Sequence, residues 1–162
     1  MKTVIIGLGN PILSDDSVGI KVSRALHHTL NGCSGIDITE VYAGGIRLMD
    51  AMTGYDRAVI IDAVVTEHSE PGRYYRLSLS DLVSTRNTVS VHDMNLPTAL
   101  EMGRMLDVPL PEHIDIWGIE AKDVETFSEG LSEAVAQAVP AVVSCILQDL
   151  GLSDCANNHA RW

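Results

Sequence analysis

Apolar positions follow two rhythms along this chain. Short continuous runs alternate with stretches in which apolar residues recur every third or fourth position. The run within 2–7, Val4-Ile5-Ile6, predicts a buried strand. Over 15–30, Val18, Val22, Leu26 and Leu30 fall on one helical face. Residues 36–42 alternate as a second strand, and Gly44-Gly45 turns into a short helix over 46–53. The most apolar stretch, 57–65, reads Ala58-Val59-Ile60-Ile61, then Asp62, then Ala63-Val64-Val65. Its lack of alternation predicts a central parallel strand. Another strand is expected over 73–79, after the turn at Pro71-Gly72. About eight residues separate it from the preceding strand, too few for a helical crossover, so these two are expected to pair antiparallel. Pro97 suits the first turn of a helix over 94–106. A fifth strand is expected over 114–119. A last helix over 130–149 turns Leu131, Val135, Val139, Val142 and Ile146 inward, with a kink at Pro140.

Strand and helix patterns alternate, so the expected class is α/β. The architecture is a three-layer sandwich, a mostly parallel five-stranded sheet with one antiparallel strand and helices on both faces. A chain of 162 residues, 46% of them hydrophobic, suits one domain over 1–150. The polar segment 151–162 is expected to be a mobile tail.

Charge narrows the partners. A formal net charge of −11 disfavours nucleic acid, whose grip rests on Lys and Arg, and an anionic membrane surface likewise. Cys33, Cys145 and Cys155 are odd in number and widely spaced, which reads as reduced thiols in the cytoplasm. No run approaches the roughly 20 apolar residues of a spanning helix, and the first residues are too soon broken by glycine for a signal peptide. No membrane insertion is expected.

The candidate chemistry begins at the first turn, Gly7-Leu8-Gly9-Asn10-Pro11-Ile12-Leu13-Ser14-Asp15-Asp16. The glycines suggest a phosphate-binding turn, but Ile12 stands where a dinucleotide fingerprint has its third glycine. No Gly-Lys-Ser/Thr ending follows, and the carboxylates would repel phosphate. No Gly-x-Ser-x-Gly elbow supports a serine nucleophile. Ser14 is the expected N-cap, with Asp15 and Asp16 supporting the positive end of the helix dipole. In open α/β sheets, ligands bind beyond the carboxyl ends of strands where strand order reverses. With order 2-1-3, Asp16 after strand one would face Asp62 at the end of strand three. A carboxylate in so apolar a run is costly to bury without a partner or a cation; the alternative is a turn-forming or capping aspartate. His92, in Ser90-Val91-His92-Asp93, is one of six histidines, and a single histidine is more often an ordinary surface or capping residue. Two carboxylates and an imidazole together suit a divalent metal with open positions.

These residues resemble a known family. The opening turn, with Gly19 closing it, is similar to the amino-terminal signature of the hydrogenase maturation endopeptidases. The resemblance implies a phosphorylase/hydrolase-like fold and removal of a carboxy-terminal extension from a [NiFe] hydrogenase large-subunit precursor after nickel insertion. It also implies that Asp16, Asp62 and His92 are both the metal ligands and the catalytic residues. The nickel would be contributed by the substrate, with other divalent cations able to occupy the site. A later Gly-Ile-Glu segment of the family is matched by Gly118-Ile119-Glu120. Departures are Ser17 after the acidic pair, the loop Ala43-Gly44-Gly45-Ile46-Arg47, and Ala121 after Glu120. The peptidyl-tRNA hydrolases share Gly-Leu-Gly-Asn-Pro but keep glycine where this chain has Ile12. A third expectation, from another class, is a non-catalytic chaperone that binds the precursor on the same fold.

Overall fold

The computed structural model describes residues 1–66, 69–81 and 95–153. The elements run β1 (Thr3–Leu8), α1 (Val18–Thr29), β2 (Ile36–Val41), α2 (Ile46–Met52), β3 (Arg57–Val64), β4 (Tyr74–Leu77), α3 (Leu96–Met105), β5 (His113–Glu120) and α4 (Glu133–Asp149). The sheet order is β2-β1-β3-β5-β4, with every neighbouring pair parallel except β4 with β5. The chain therefore leaves β1 to one side for β2 and returns to its other side for β3. This reversal is the expected 2-1-3 order, and it opens a crevice beyond the carboxyl ends of β1 and β3.

Side chains of β1 and β3 alternate between two buried faces, which is why their sequences show no polar alternation. Ile5, Val59, Ile61, Trp117 and Ile119 face one way and pack with α1 and α4. Val4, Ile6, Leu8, Ala58, Ile60 and Ile116 face the other way, under α2 and α3. The face of α1 predicted from periodicity is the buried one: Val18, Val22, Leu26 and Leu30 all lie in the first core.

The placement of β4 differs from expectation. It does not pair with β3, because β5 inserts between them. The β3–β5 ladder runs the full length from Arg57↔His113 to Val64↔Glu120. β4 has only four residues, none fully buried, and a short half-exposed strand suits an edge better than the centre. Its direction is antiparallel, as expected.

Helix ends differ too. Ser14 does not cap α1. Residues Ser14–Ser17 form a 3-10 turn, and α1 follows at Val18. Ser14 has φ 33° and its hydroxyl donates to the Gly130 carbonyl at 3.3 Å. α3 starts after Asn95, whose side chain accepts from the Thr98 amide at 3.0 Å, and Pro97 lies in its first turn as anticipated. α4 begins at Glu133, so Leu131 precedes it, and it continues across Pro140. Its end is closed by Gly151, with φ 69°. The Gly151 amide donates to the Gln148 carbonyl and the Leu152 amide to the Leu147 carbonyl. That paired pattern is a left-handed glycine cap, and Leu152 packs on the first core. Residues 151 and 152 of the expected tail are thus part of this cap; residues 154–162 lie outside the described residues.

Candidate active site

The first turn is folded back on itself. The Gly9 backbone, at φ 148°, brings its Cα so close to the 3-10 turn that a Cβ would lie 2.1 Å from the Asp16 carbonyl oxygen. The Asn10 amide donates to Asp16 Oδ2 at 3.0 Å, and the Asn10 side chain accepts from the Ile12 amide at 3.1 Å. The turn therefore wraps the Asp16 carboxylate, which is buried. One helical turn later, Gly19 lies against the sheet. A Cβ there would be 2.2 Å from the Ile61 carbonyl and 2.6 Å from that of Leu8. The start of α1 thus rests on the carboxyl ends of both β1 and β3. Asp16 stands three residues before this contact, and Asp62 one residue after Ile61.

Asp62 is fully buried. It lies inside β3, which continues to Val64, so it does not end the strand as expected. Ala58 and Ile60 face α2 and α3, so alternation puts Asp62 on that same face. Gly118 of β5 is its cross-strand neighbour. Asp16 thus follows β1 and Asp62 lies near the carboxyl end of β3, the strand paired with it. His92 lies outside the described residues, three positions before the cap of α3. Among the described residues, no three His, Cys, Asp or Glu side chains form a cluster fit for a metal ion.

Two further buried carboxylates line this end of the sheet, and their partners were not legible in the sequence. Asp15 does more than support a helix start. Its carboxylate accepts from the amides of Lys122 (2.9 Å), Asp123 (3.0 Å) and Ser132 (2.7 Å), and from the Ser132 hydroxyl (2.8 Å). Its own amide donates to the Asp123 carbonyl at 2.8 Å. One side chain thereby latches the loop between β5 and α4 onto the turn after β1. Asp15→Ala would leave four donors without their acceptor, and hydrogen bonds to a charged group are worth about 1.5–3 kcal/mol each before non-additivity. We expect a loss of about 3 kcal/mol in the folding free energy measured by urea denaturation.

Glu120 is the second. It accepts from the Thr66 amide at 3.1 Å, from the Thr66 hydroxyl, and from the Tyr75 hydroxyl at 2.7 Å. Burial, then the bond to Glu120, pushes the Tyr75 hydroxyl up to about 12. A raised folded-state value means stability that is complete below the ordinary tyrosine range and falls as pH rises through the folded value. Wild type is therefore expected to lose stability between about pH 10 and 12, and Tyr75→Phe to lose less over that interval. Denaturation midpoints across the range check this. The Gly-Ile-Glu match pointed to Glu120 as a position; only the fold reveals that it ties the loop after β3 to β4.

A profile of the hydrogenase maturation protease family matches residues 4–149. The chain belongs to this family. It is 23% identical over 151 residues to the hydrogenase 2 maturation protease of Escherichia coli (strain K12), covering 93% of this chain and 91% of that one. The structure of the hydrogenase maturating endopeptidase HybD from E. coli superimposes with a TM-score of 0.76, at 23% identity and 94% coverage of each chain. The [NiFe] hydrogenase maturation protease HybD from Thermococcus kodakarensis gives a TM-score of 0.67 at 27% identity, covering 91% of this chain and 98% of that one. As a member of this family the chain is a hydrolase, and the match runs over nearly its whole length. Among its described residues, no helix is long and apolar enough to cross a membrane.

Proposed function

We propose that this chain is the endopeptidase that removes the carboxy-terminal extension of a [NiFe] hydrogenase large-subunit precursor once nickel is in place. The observation that supports the reading is a pair of buried carboxylates, Asp16 after β1 and Asp62 in β3, next to the point where strand order reverses. Carboxylates attract a divalent cation, and a nickel ion carried by the precursor would reach these two only when the substrate is correctly loaded. Asp16 and Asp62 would bind it from the β1 and β3 sides, with His92 as the third ligand. This donor set suits nickel or zinc better than the all-oxygen sets of magnesium and calcium.

The division of labour follows from the environment. The precursor's metal supplies Lewis acidity at the scissile carbonyl or at a water. The chain supplies position: Asp16 is fixed by the Asn10 amide, and Asp62 by its place in a strand buried on both faces. The same three residues thereby serve recognition and catalysis, and another divalent cation could occupy the site in place of nickel. The odd number and wide spacing of the cysteines support a cytoplasmic setting.

The test is a cleavage assay on the nickel-loaded precursor with Asp16→Asn and His92→Gln. Both variants are expected to lose most activity while melting near wild type. Full activity in both would sink the site assignment. Capture of the precursor without any mass change would instead favour the chaperone reading.

A further inference from the structure

Two consecutive carboxylates, Asp15 and Asp16, are both buried in the 3-10 turn Ser14–Ser17. Successive side chains of such a turn leave it roughly 120° apart, so the pair divides its partners. Asp15 reaches the loop between β5 and α4, while Asp16 Oδ2 accepts from the Asn10 amide. One peptide unit joins the two residues. Whatever fixes Asp15 in space therefore fixes the point from which the Asp16 side chain starts.

The turn is held from outside. Ser14, immediately before Asp15, has φ 33°, a left-handed conformation uncommon for any residue with a side chain. Such a conformation costs free energy and persists where the surrounding structure over-determines it. Here that structure is the 122–132 loop. The Ser14 amide donates to the Ser128 carbonyl at 2.8 Å, and the Ser14 hydroxyl to the Gly130 carbonyl. The Asp15 amide donates to the Asp123 carbonyl. Asp15 Oδ2 accepts from the Lys122 and Asp123 amides and from the Ser132 hydroxyl, and Oδ1 from the Ser132 amide. Both carboxylate oxygens are thus used, and a side-chain amide, with one acceptor oxygen, could not match them. Groups behind a metal ligand commonly set its orientation in this way.

We propose that Asp15 is the positioning residue for Asp16: through its bonds to the 122–132 loop it holds the turn after β1 in the strained form that presents the Asp16 carboxylate to the metal. The proposal rests on the endopeptidase reading, in which that metal arrives with the precursor. Asp15 itself touches no reacting atom. A ligand slightly out of place costs more in the transition state than in binding, so the effect is expected in kcat and not in KM.

The experiment uses the full chain and the nickel-loaded precursor, at a temperature where every variant is folded. It has two readouts: kcat and KM for cleavage, and the NMR resonance of the Asn10 amide, which reports the bond to Asp16 without any substrate. Asp15→Asn is expected to lower kcat by about ten-fold or more with KM near the wild-type value. Ser132→Ala removes one donor and keeps the Asp15 charge, so a loss there is one of position. Its hydroxyl makes no capping bond to α4, so the helix start stays intact. It should lower kcat by a smaller factor. The Asn10 resonance should move in both variants. Val142→Ala is the control for stability alone, since Val142 is buried in the first core on α4. It should melt lower and leave kcat and the Asn10 resonance unchanged. Wild-type kcat in Asp15→Asn, an unmoved Asn10 resonance, or an equal fall in Val142→Ala overturns the positioning role and leaves the endopeptidase reading intact. If Asp15→Asn does not fold, Ser132→Ala decides by the same outcomes. A wild-type protein that never cleaves retires the endopeptidase reading, and the Asn10 resonance alone then decides whether Asp15 sets the position of Asp16.

Discussion

Asp62→Asn is expected to reduce cleavage of the precursor by about 100-fold or more, while the protein stays folded. The substitution keeps the shape of the side chain and removes its charge. Asp62 is fully buried in the central strand of the sheet, so no mobile neighbour can take its place. A carboxylate that binds a divalent ion contributes both a ligand atom and a negative charge in a low-dielectric crevice, where each counts for more than in water. Even residues that merely support a metal ligand typically contribute about 10–100-fold to affinity or activity, and a ligand should exceed them. Stability should move little, because burying a neutral amide costs less than burying a charge. Initial rates and a thermal melt on the same preparation check both halves. A wild-type rate in Asp62→Asn would remove that residue from the chemistry, however well it is placed.

The second large effect is on the fold. Gly19→Ala is expected to destabilise the protein by about 3 kcal/mol or more, lowering Tm by roughly 6–12 °C for a chain of this size. Helix propensity alone predicts the opposite sign, since alanine is favoured over glycine by about 1 kcal/mol in a helix. The difference lies in what the new methyl meets. The Ile61 carbonyl at 2.2 Å and the Leu8 carbonyl at 2.6 Å belong to the backbones of two adjacent strands, which cannot yield as a flexible side chain would. α1 would have to lift from the sheet, and the 3-10 turn carrying Asp16 would move with it. Loss of activity is therefore expected to accompany loss of stability in Gly19→Ala, in contrast to Asp62→Asn. Denaturant midpoints decide the sign: a more stable variant would show that helix propensity, and not the strand contact, governs this position.

What could be read before the structure was known divides by sequence distance. The buried strands and the inward face of α1 follow from periodicity, because β1 and β3 announce their double burial in unbroken apolar runs; the reversal at β1 was a supposition that the sheet order bears out. β4 could not be placed in the same way. Its nearness to β3 in sequence suggests a hairpin, but the place beside β3 is taken by β5, which comes later in the chain and makes a longer ladder with β3 than β4 has residues to offer. The Asp15 latch was hidden for the same reason: its four donors sit in the 122–132 loop, more than a hundred residues away. Acidic residues in a first turn ordinarily serve the helix dipole, so the local reading was the natural one. Asp62 was legible as a candidate because it breaks an apolar run, and Asp16 because the turn after β1 could bring it to face Asp62 at the end of the sheet where ligands bind. His92 was legible only through resemblance, and it lies outside the described residues.

The central claim is that a nickel-loaded precursor is cut by this protein at a crevice built from Asp16 and Asp62. The most direct measurement is the mass of the large-subunit precursor after incubation with the purified chain, with and without nickel in the precursor. The account predicts loss of a carboxy-terminal fragment from the nickel-loaded form alone. An unchanged mass in both, or equal cleavage of the nickel-free form, would contradict it.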